Sequence, residues 1–115
     1  MDRLAIRSTP SESPALLLLA LDGELDVLNV GKLSDTVVDA LEAGRRHLLV
    51  DLTGVTWCDV GSLYTLLGMR HAAIHAGGSL SLTAASDCVH EALDRVRLRG
   101  LLPFVERRGR PGDAR

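Results

Sequence analysis

The sequence has few aromatic residues, few cysteines and no long apolar run, and each scarcity excludes a class of protein. Aromatic residues make up 3% of the 115 residues, and the net charge is −2. Nucleic-acid binders rely on basic surfaces, and single-strand binders also on aromatic platforms, so we expect no nucleic-acid partner. Two cysteines are too few for a secreted disulfide framework. The longest apolar run, residues 15–21, is far shorter than the roughly 20 residues that a membrane-spanning helix needs.

Aliphatic side chains are abundant, and the chain has the length of one domain. Hydrophobic residues make up 46% of the sequence, which is enough for a core at this size. The first residues are charged and show no cleavable signal pattern. We therefore expect a single cytoplasmic domain over residues 1–106 with no membrane contact. The arginine-rich residues 107–115 are expected to form a disordered tail.

Apolar periodicity and turn residues predict strands that alternate with helices. Strands are predicted at residues 4–6, 15–21, 47–52 and 79–83, with a short edge strand near Phe104, and helices at residues 30–43, 59–76 and 86–100. This order predicts an α/β fold: a mixed, mostly parallel sheet of four to five strands, covered by helices. The first two strands are expected to pair antiparallel at one edge. The apolar run at 15–21 is expected to be buried on both faces of the sheet.

One rim of this sheet is predicted to collect the polar residues that begin the helices. They are Asp51, Asp59, Gly61, Ser62, Ser86 and Cys88. Helix N-termini attract anions, so a phosphate is the ligand that such a rim favours. The alternative is that these residues are only helix caps and loop residues, with Asp59 and Ser86 as N-caps. The pattern alone favours this second interpretation.

The sequence contains no enzyme motif. A phosphate-binding loop, a dinucleotide fingerprint and a nucleophile elbow are all absent from it. Asp51 ends a predicted strand, which is where a receiver domain carries its phosphoaspartate. A receiver domain also needs a lysine after its last strand, but the single lysine of this sequence, Lys32, lies on the first predicted helix. His71 and His75 have a chelating spacing, but the sequence shows no further ligands for a metal. We therefore expect no catalysis, no metal and no cofactor.

The two cysteines are expected near the same rim. Cys58 precedes the second helix and Cys88 begins the third. A redox-responsive disulfide would require Cα atoms within about 7 Å of each other. Because cysteine is among the most frequently buried residues, two ordinary packed thiols are the favoured interpretation.

Three segments together resemble a known family. Residues 57–67 read WCDVGSLYTLL, residues 51–52 read DL, and residues 23–26 read GELD. At these separations they resemble the signature of STAS domains in anti-sigma factor antagonists. The glycines at 77–78 and Gly100 also fit the layout of that family, and the resemblance covers about residues 4–106.

The resemblance implies a non-catalytic protein-binding module without a small-molecule substrate. Such a domain binds an anti-sigma factor, usually a GHKL-type serine kinase, and thereby releases a sigma factor. The kinase phosphorylates a serine at the start of the second helix, which ends binding. Partner contacts are expected on that helix and the GELD loop, at Glu24, Asp26, Asp59, Gly61, Ser62, Tyr64, Thr65, Gly68 and His71.

The sequence departs from the family pattern at the phosphoacceptor. Gly61 occupies that position, and Ser62 lies one residue further on, about 100° around the helix. We therefore expect the phosphorylation switch to be lost or moved to Ser62, with Thr65 as the next candidate.

Gly68 carries a cost in helix propensity at mid-helix. Close approach of a partner backbone and packing of a neighbouring element of this domain both explain it. Two other functions remain open at this point. One is a STAS subunit of another assembly, such as a stress-signalling complex or a lipid-transport accessory, and the other is a nucleotide or small-ligand sensor.

Overall fold

A computed structural model describes residues 3–105. In this part of the chain, four strands and three helices alternate in the predicted order. They are β1 (Leu4–Pro10), β2 (Leu16–Leu25), α1 (Val30–Glu42), β3 (His47–Cys58), α2 (Val60–His75), β4 (Ser79–Ala85) and α3 (Asp87–Arg95). The domain boundary predicted at residue 106 and the predicted tail at 107–115 lie outside the described residues.

The sheet is mixed and mostly parallel, as predicted. Its strand order is β1-β2-β3-β4, with β1 antiparallel to β2 and the other neighbours parallel. The short edge strand predicted near Phe104 is represented in the described residues by one parallel bridge between Leu82 and Phe104. Its hydrogen bonds run from Leu82 N–H to Pro103 O at 2.9 Å and from Val105 N–H to Leu82 O at 2.8 Å.

The helices cover a single face of this sheet. Each parallel connection crosses the sheet in the same direction, and right-handed connections of that kind place all their helices on the same side. The strand side chains buried on that side include Leu17, Leu19, Leu21, Leu48, Val50, Leu52, Leu80 and Leu82. The register aligns them in rows, such as Leu17, Leu48 and Leu80.

The prediction that residues 15–21 are buried on both faces is wrong. Leu17, Leu19 and Leu21 are buried, whereas Leu16 and Leu18 on the opposite face are partly exposed. The reason is the one-sided arrangement of the helices. An unbroken apolar run shows that a strand is apolar on both sides, but not that a second layer covers it.

The strands extend beyond their predicted ends. β2 passes through Gly23 to Leu25, four residues beyond its predicted end at residue 21. The register shifts on both sides of this point, and Gly23 has a φ of +113°, a conformation that glycine adopts without strain. The carbonyl of Arg3 occupies the space that a Cβ at Gly23 would need. β3 likewise continues past its predicted end, to Cys58.

Two of the predicted helices are found nearly as expected, and the third is shorter. α1 and α2 end within a residue of the predictions, whereas α3 ends at Arg95 instead of Gly100. After α3 the backbone of Arg97 adopts a left-handed conformation with a φ of +58°, which turns the chain toward the sheet. Leu98 and Leu102 are buried there.

Candidate functional site

Asp59 joins the start of α2 to the loop that follows β2. Its Oδ1 accepts a hydrogen bond from the Ser62 N–H at 2.8 Å, which confirms the predicted N-cap. Its Oδ2 accepts one from the Val27 N–H at 3.1 Å. One carboxylate therefore satisfies a helix N–H and holds the loop over residues 26–29 against the helix.

The GELD motif shapes this loop from inside. Asp26 is 6% exposed, and its Oδ1 accepts hydrogen bonds from the N–H groups of Leu28 at 2.9 Å and Asn29 at 3.0 Å. Asn29 Oδ1 in turn accepts from the Asp26 N–H at 2.9 Å. The side chain of Asp26 is thus committed within the domain. Its burial does not support the expectation that a partner contacts it.

Arg3 is the charged partner of this motif. Its Nη1 lies 2.6 Å from Asp26 Oδ2 and 3.0 Å from Glu24 Oε1. Burial alone would raise the pKa of Asp26, but the hydrogen bonds from Arg3, Asn29 and Leu28 lower it, and its net pKa lies below the ordinary value. The hydrogen bonds that Arg3 makes to Glu24 and Asp26 raise the pKa of Arg3. Glu24 remains about half exposed and accessible to a partner.

The first turn of α2 offers no exposed serine hydroxyl. Ser62 is fully buried, and its Oγ donates to Asp59 O at 2.8 Å. A Cβ at Gly61 would overlap Cγ1 of Val27, so the loop covers the position where the family resemblance expects a phosphoacceptor. Thr65 Oγ1 donates to Gly61 O at 3.1 Å.

The loop and the helix present apolar side chains to solvent. Leu28 is 84% exposed, Val27 58% and Tyr64 52%. Tyr64 was predicted from the sequence as a contact residue, whereas Val27 and Leu28 were not. The available signal was a pair of apolar residues directly after GELD.

Gly68 and His71 continue the exposed stripe of α2 beyond Tyr64. A Cβ at Gly68 would meet nothing within 4 Å, so no neighbouring element in the described part of the chain packs on it. Gly68 borders a groove of about 270 Å³ between α1 and α2. The groove is lined by Ser34, Val37, Val38, Thr65, Gly68, Met69 and Ala72. We refer to Val27, Leu28, Tyr64, Gly68 and His71 as the docking surface.

The rim predicted to favour phosphate does not include Asp51, because β3 continues for seven residues beyond it. Asp51 Oδ1 accepts from the N–H and the hydroxyl of Thr53 within that strand, and both oxygens of Asp59 accept backbone N–H groups. Ser86 precedes α3 as predicted, but its hydroxyl donates to Val55 O instead of capping the helix. The anionic carboxylate of Asp59 thus occupies the place at the start of α2 that an anion would take.

Residues 3–105 contain neither a cluster of metal-ligating side chains nor a membrane-spanning helix. No group of three or more histidine, cysteine or acidic side chains lies close enough there to hold a metal ion. His71 and His75 are both exposed on α2. None of the helices in this range is long and apolar enough to cross a membrane.

Comparisons with known proteins agree with this architecture, a small mixed α/β domain with helices on one side. A family model described as "Mlab, STAS domain" matches residues 8–103. The chain therefore belongs to the STAS-domain family, as its motifs indicated. None of the curated proteins compared matches the chain.

Solved structures share the fold at low sequence identity. Bacillus SpoIIAA, an anti-sigma factor antagonist solved in its unphosphorylated form, is 16% identical, with 88% of each chain covered and a TM-score of 0.72. An anti-sigma factor antagonist from Mycobacterium paratuberculosis is 15% identical, covering 96% of this chain and 91% of its own, with a TM-score of 0.71. SLC26A9 is 10% identical, matches 91% of this chain with 23% of its own, and has a TM-score of 0.63. The same fold thus occurs both as a small protein and as part of a longer one.

Proposed function

We propose that this protein is a cytoplasmic anti-sigma factor antagonist, a non-catalytic module that binds an anti-sigma factor and thereby releases a sigma factor. The expected partner is a GHKL-type serine kinase. The observation that carries the proposal is the exposed apolar docking surface, held in place by Asp59 beside the start of α2. The similarity in fold to two anti-sigma factor antagonists supports it.

The docking surface has the properties of a protein-binding site. A leucine exposed to 84% gains nothing from folding, so its apolar area becomes favourable only when a partner covers it. Tyr64 adds an amphipathic ring of the kind that interfaces favour. Because hydrogen bonds to Asp59 and Asp26 already order the loop, binding costs less conformational entropy than it would for a mobile loop.

We further propose that phosphorylation does not control this docking surface. Gly61 has no hydroxyl, Ser62 is buried, and Thr65 donates to a helix carbonyl. Incubation with the partner kinase and ATP should leave the protein unlabelled or weakly labelled in intact-mass measurements. Rapid stoichiometric labelling of Ser62 or Thr65 would contradict this. Gly61→Ser should be labelled only if Val27 moves, so the double variant with Val27→Ala should be labelled faster than Gly61→Ser alone.

The experiment that tests the proposed function is capture of the partner from the native host. Tagged protein is incubated with host extract, and captured proteins are identified by mass spectrometry. Leu28→Asp should abolish capture of an anti-sigma factor, because the charge lies on the docking surface. Leu101→Asp is the matched control, since Leu101 is 52% exposed in the turn after α3 and lies outside the docking surface. If both variants still capture the anti-sigma factor, that result would contradict the proposed docking surface.

A STAS subunit of another assembly is the second candidate. The matching family model favours it, because its description names Mlab and not an anti-sigma factor antagonist. A transporter ATPase or the subunits of a stress-signalling complex in the same capture experiment would replace the first proposal. A thermal shift with nucleotides would instead indicate a ligand sensor on the rim.

A further inference from the structure

The fold brings the only two cysteines of the chain to the same place. Cys58 ends β3, and Cys88 lies in the first turn of α3. The Sγ of Cys58 lies 3.9 Å from the carbonyl oxygen of Cys88, and the Sγ of Cys88 lies 3.3 Å from Val55 O, three residues before Cys58. Both thiols are free and partly exposed. Two cysteines that are thirty residues apart in sequence therefore meet at the end of one strand.

The surroundings of the pair keep Cys58 protonated at neutral pH. Burial is the main cause that raises the pKa of Cys58 to about 11, and the neighbouring Cys88 adds to the effect. Asp59 also raises this pKa, and Arg95 on α3 lowers it. Ser86 Oγ, 3.3 Å from the Sγ of Cys88, borders the pair on its other side.

We propose that Cys58 and Cys88 are a reversible modification site, which a low-molecular-weight disulfide converts into an intramolecular disulfide. The thiolate of Cys88 attacks one sulfur of the small disulfide, which releases one small thiol and leaves a mixed disulfide on Cys88. Cys58 then loses its proton and displaces the second small thiol. Two protein thiols are oxidised and one small disulfide is reduced to two thiols, so atoms and electrons balance.

The order of the two steps follows from the state of Cys58. The thiolate is the attacking species, and a thiol with a raised pKa is a poor first nucleophile at neutral pH. In the second step, proximity compensates for the poor nucleophilicity of Cys58, because the sulfur that it attacks is held on Cys88 beside it. The disulfide would tie the end of β3 to α3, directly before Asp59, which anchors the docking surface.

The test uses the full-length protein and oxidised glutathione as the probe. After incubation at pH 8, free thiols are blocked with an alkylating agent, and intact mass and a non-reducing peptide map are recorded. We expect a product that has lost two hydrogens, carries no glutathione and links Cys58 to Cys88. Dithiothreitol should restore two alkylatable thiols. Persistence of two free thiols, or stable glutathione adducts without a linked peptide, would overturn the proposal.

Two single variants check the proposed order. Cys58→Ser should stop at a stable glutathione adduct on Cys88, because the resolving thiol is gone. Cys88→Ser should be modified much more slowly at pH 8, and its rate should keep rising with pH toward 11, where Cys58 ionises. Equal rates for the two variants at pH 8 would show that the order is wrong. The wild-type measurement does not depend on how well either variant folds.

Discussion

The covered face of the sheet and the docking surface are both built from aliphatic side chains, but they differ in what those side chains do. In the first region, leucines of the strands and helices are buried together in rows. In the second, Val27 and Leu28 face solvent from a loop that polar groups hold in place. Apolar area therefore stabilises the fold in one region and is left uncovered in the other. The docking loop is ordered by hydrogen bonds and not by its own apolar contacts.

The largest expected difference is between the same substitution in the two regions. Leu63→Ala removes a fully buried side chain and should cost about 2–5 kcal/mol of unfolding free energy. Leu28→Ala removes an exposed one and should change that free energy by less than about 0.5 kcal/mol. Urea unfolding of both variants measures this directly. A large loss for Leu28→Ala would show that the loop contributes apolar contacts to the core.

The next effect concerns Asp59, which holds the docking loop against the start of α2. Asp59→Ala removes a helix cap and the anchor of Val27, and it should cost about 0.5–2 kcal/mol and weaken partner binding. Asp59→Asn is the matched control, because it keeps one oxygen to accept a backbone N–H and should remain closer to wild type. Unchanged binding by a destabilised Asp59→Ala would show that loop order does not govern docking.

Substitution of Gly68 by alanine should change the free energy of unfolding by a smaller amount and in the opposite direction, toward higher stability. A Cβ there has open space, so Gly68→Ala should stabilise the protein by about 0.5–1 kcal/mol through helix propensity. Gly68→Arg should abolish binding of the captured partner while the thermal midpoint stays the same or rises slightly. Unchanged affinity would remove Gly68 from the docking surface. A collapsed midpoint would instead reveal packing within the domain.

The smallest expected effect is the acid sensitivity of the loop. The folded pKa of Asp26 lies below its ordinary value, so its ionised form favours the folded state. This contribution is present above about pH 4, near the unfolded pKa, and is lost as the pH falls through the folded pKa. Thermal midpoints between pH 2 and pH 6 should therefore fall more steeply for wild type than for Asp26→Asn. Parallel curves would contradict a stabilising charge on Asp26.

Most of the architecture was predictable because it follows from local patterns. The order of strands and helices, the antiparallel edge, the N-cap at Asp59 and the stops of the first two helices are all confirmed. The errors fall where local patterns meet tertiary contacts. Asp-Gly after residue 21 indicates a turn, but pairing with β3 and the close carbonyl of Arg3 keep it within a strand.

The candidate site was predictable only in outline. The second helix and the GELD loop were expected to form one surface, and Asp59 does hold them together. Which residues of the loop face outward was not predictable. Asp26 and Asn29 turn inward because their side chains satisfy backbone groups of the loop, which leaves Val27 and Leu28 to face solvent. The general rule that polar residues contact partners and apolar residues form the core is therefore wrong for this loop.

The sequence by itself determined the elements whose interactions lie within a few residues, such as the cap between Asp59 and Ser62 and the leucine periodicity of the strands. Only the tertiary structure decided that the three helices of residues 3–105 all cover the same face of the sheet, that Val27 lies over Gly61, and that Cys58 meets Cys88. These features depend on the direction of the crossovers and on contacts between residues about thirty or more positions apart. Such contacts form only after the sheet has assembled, so no local spacing encodes them.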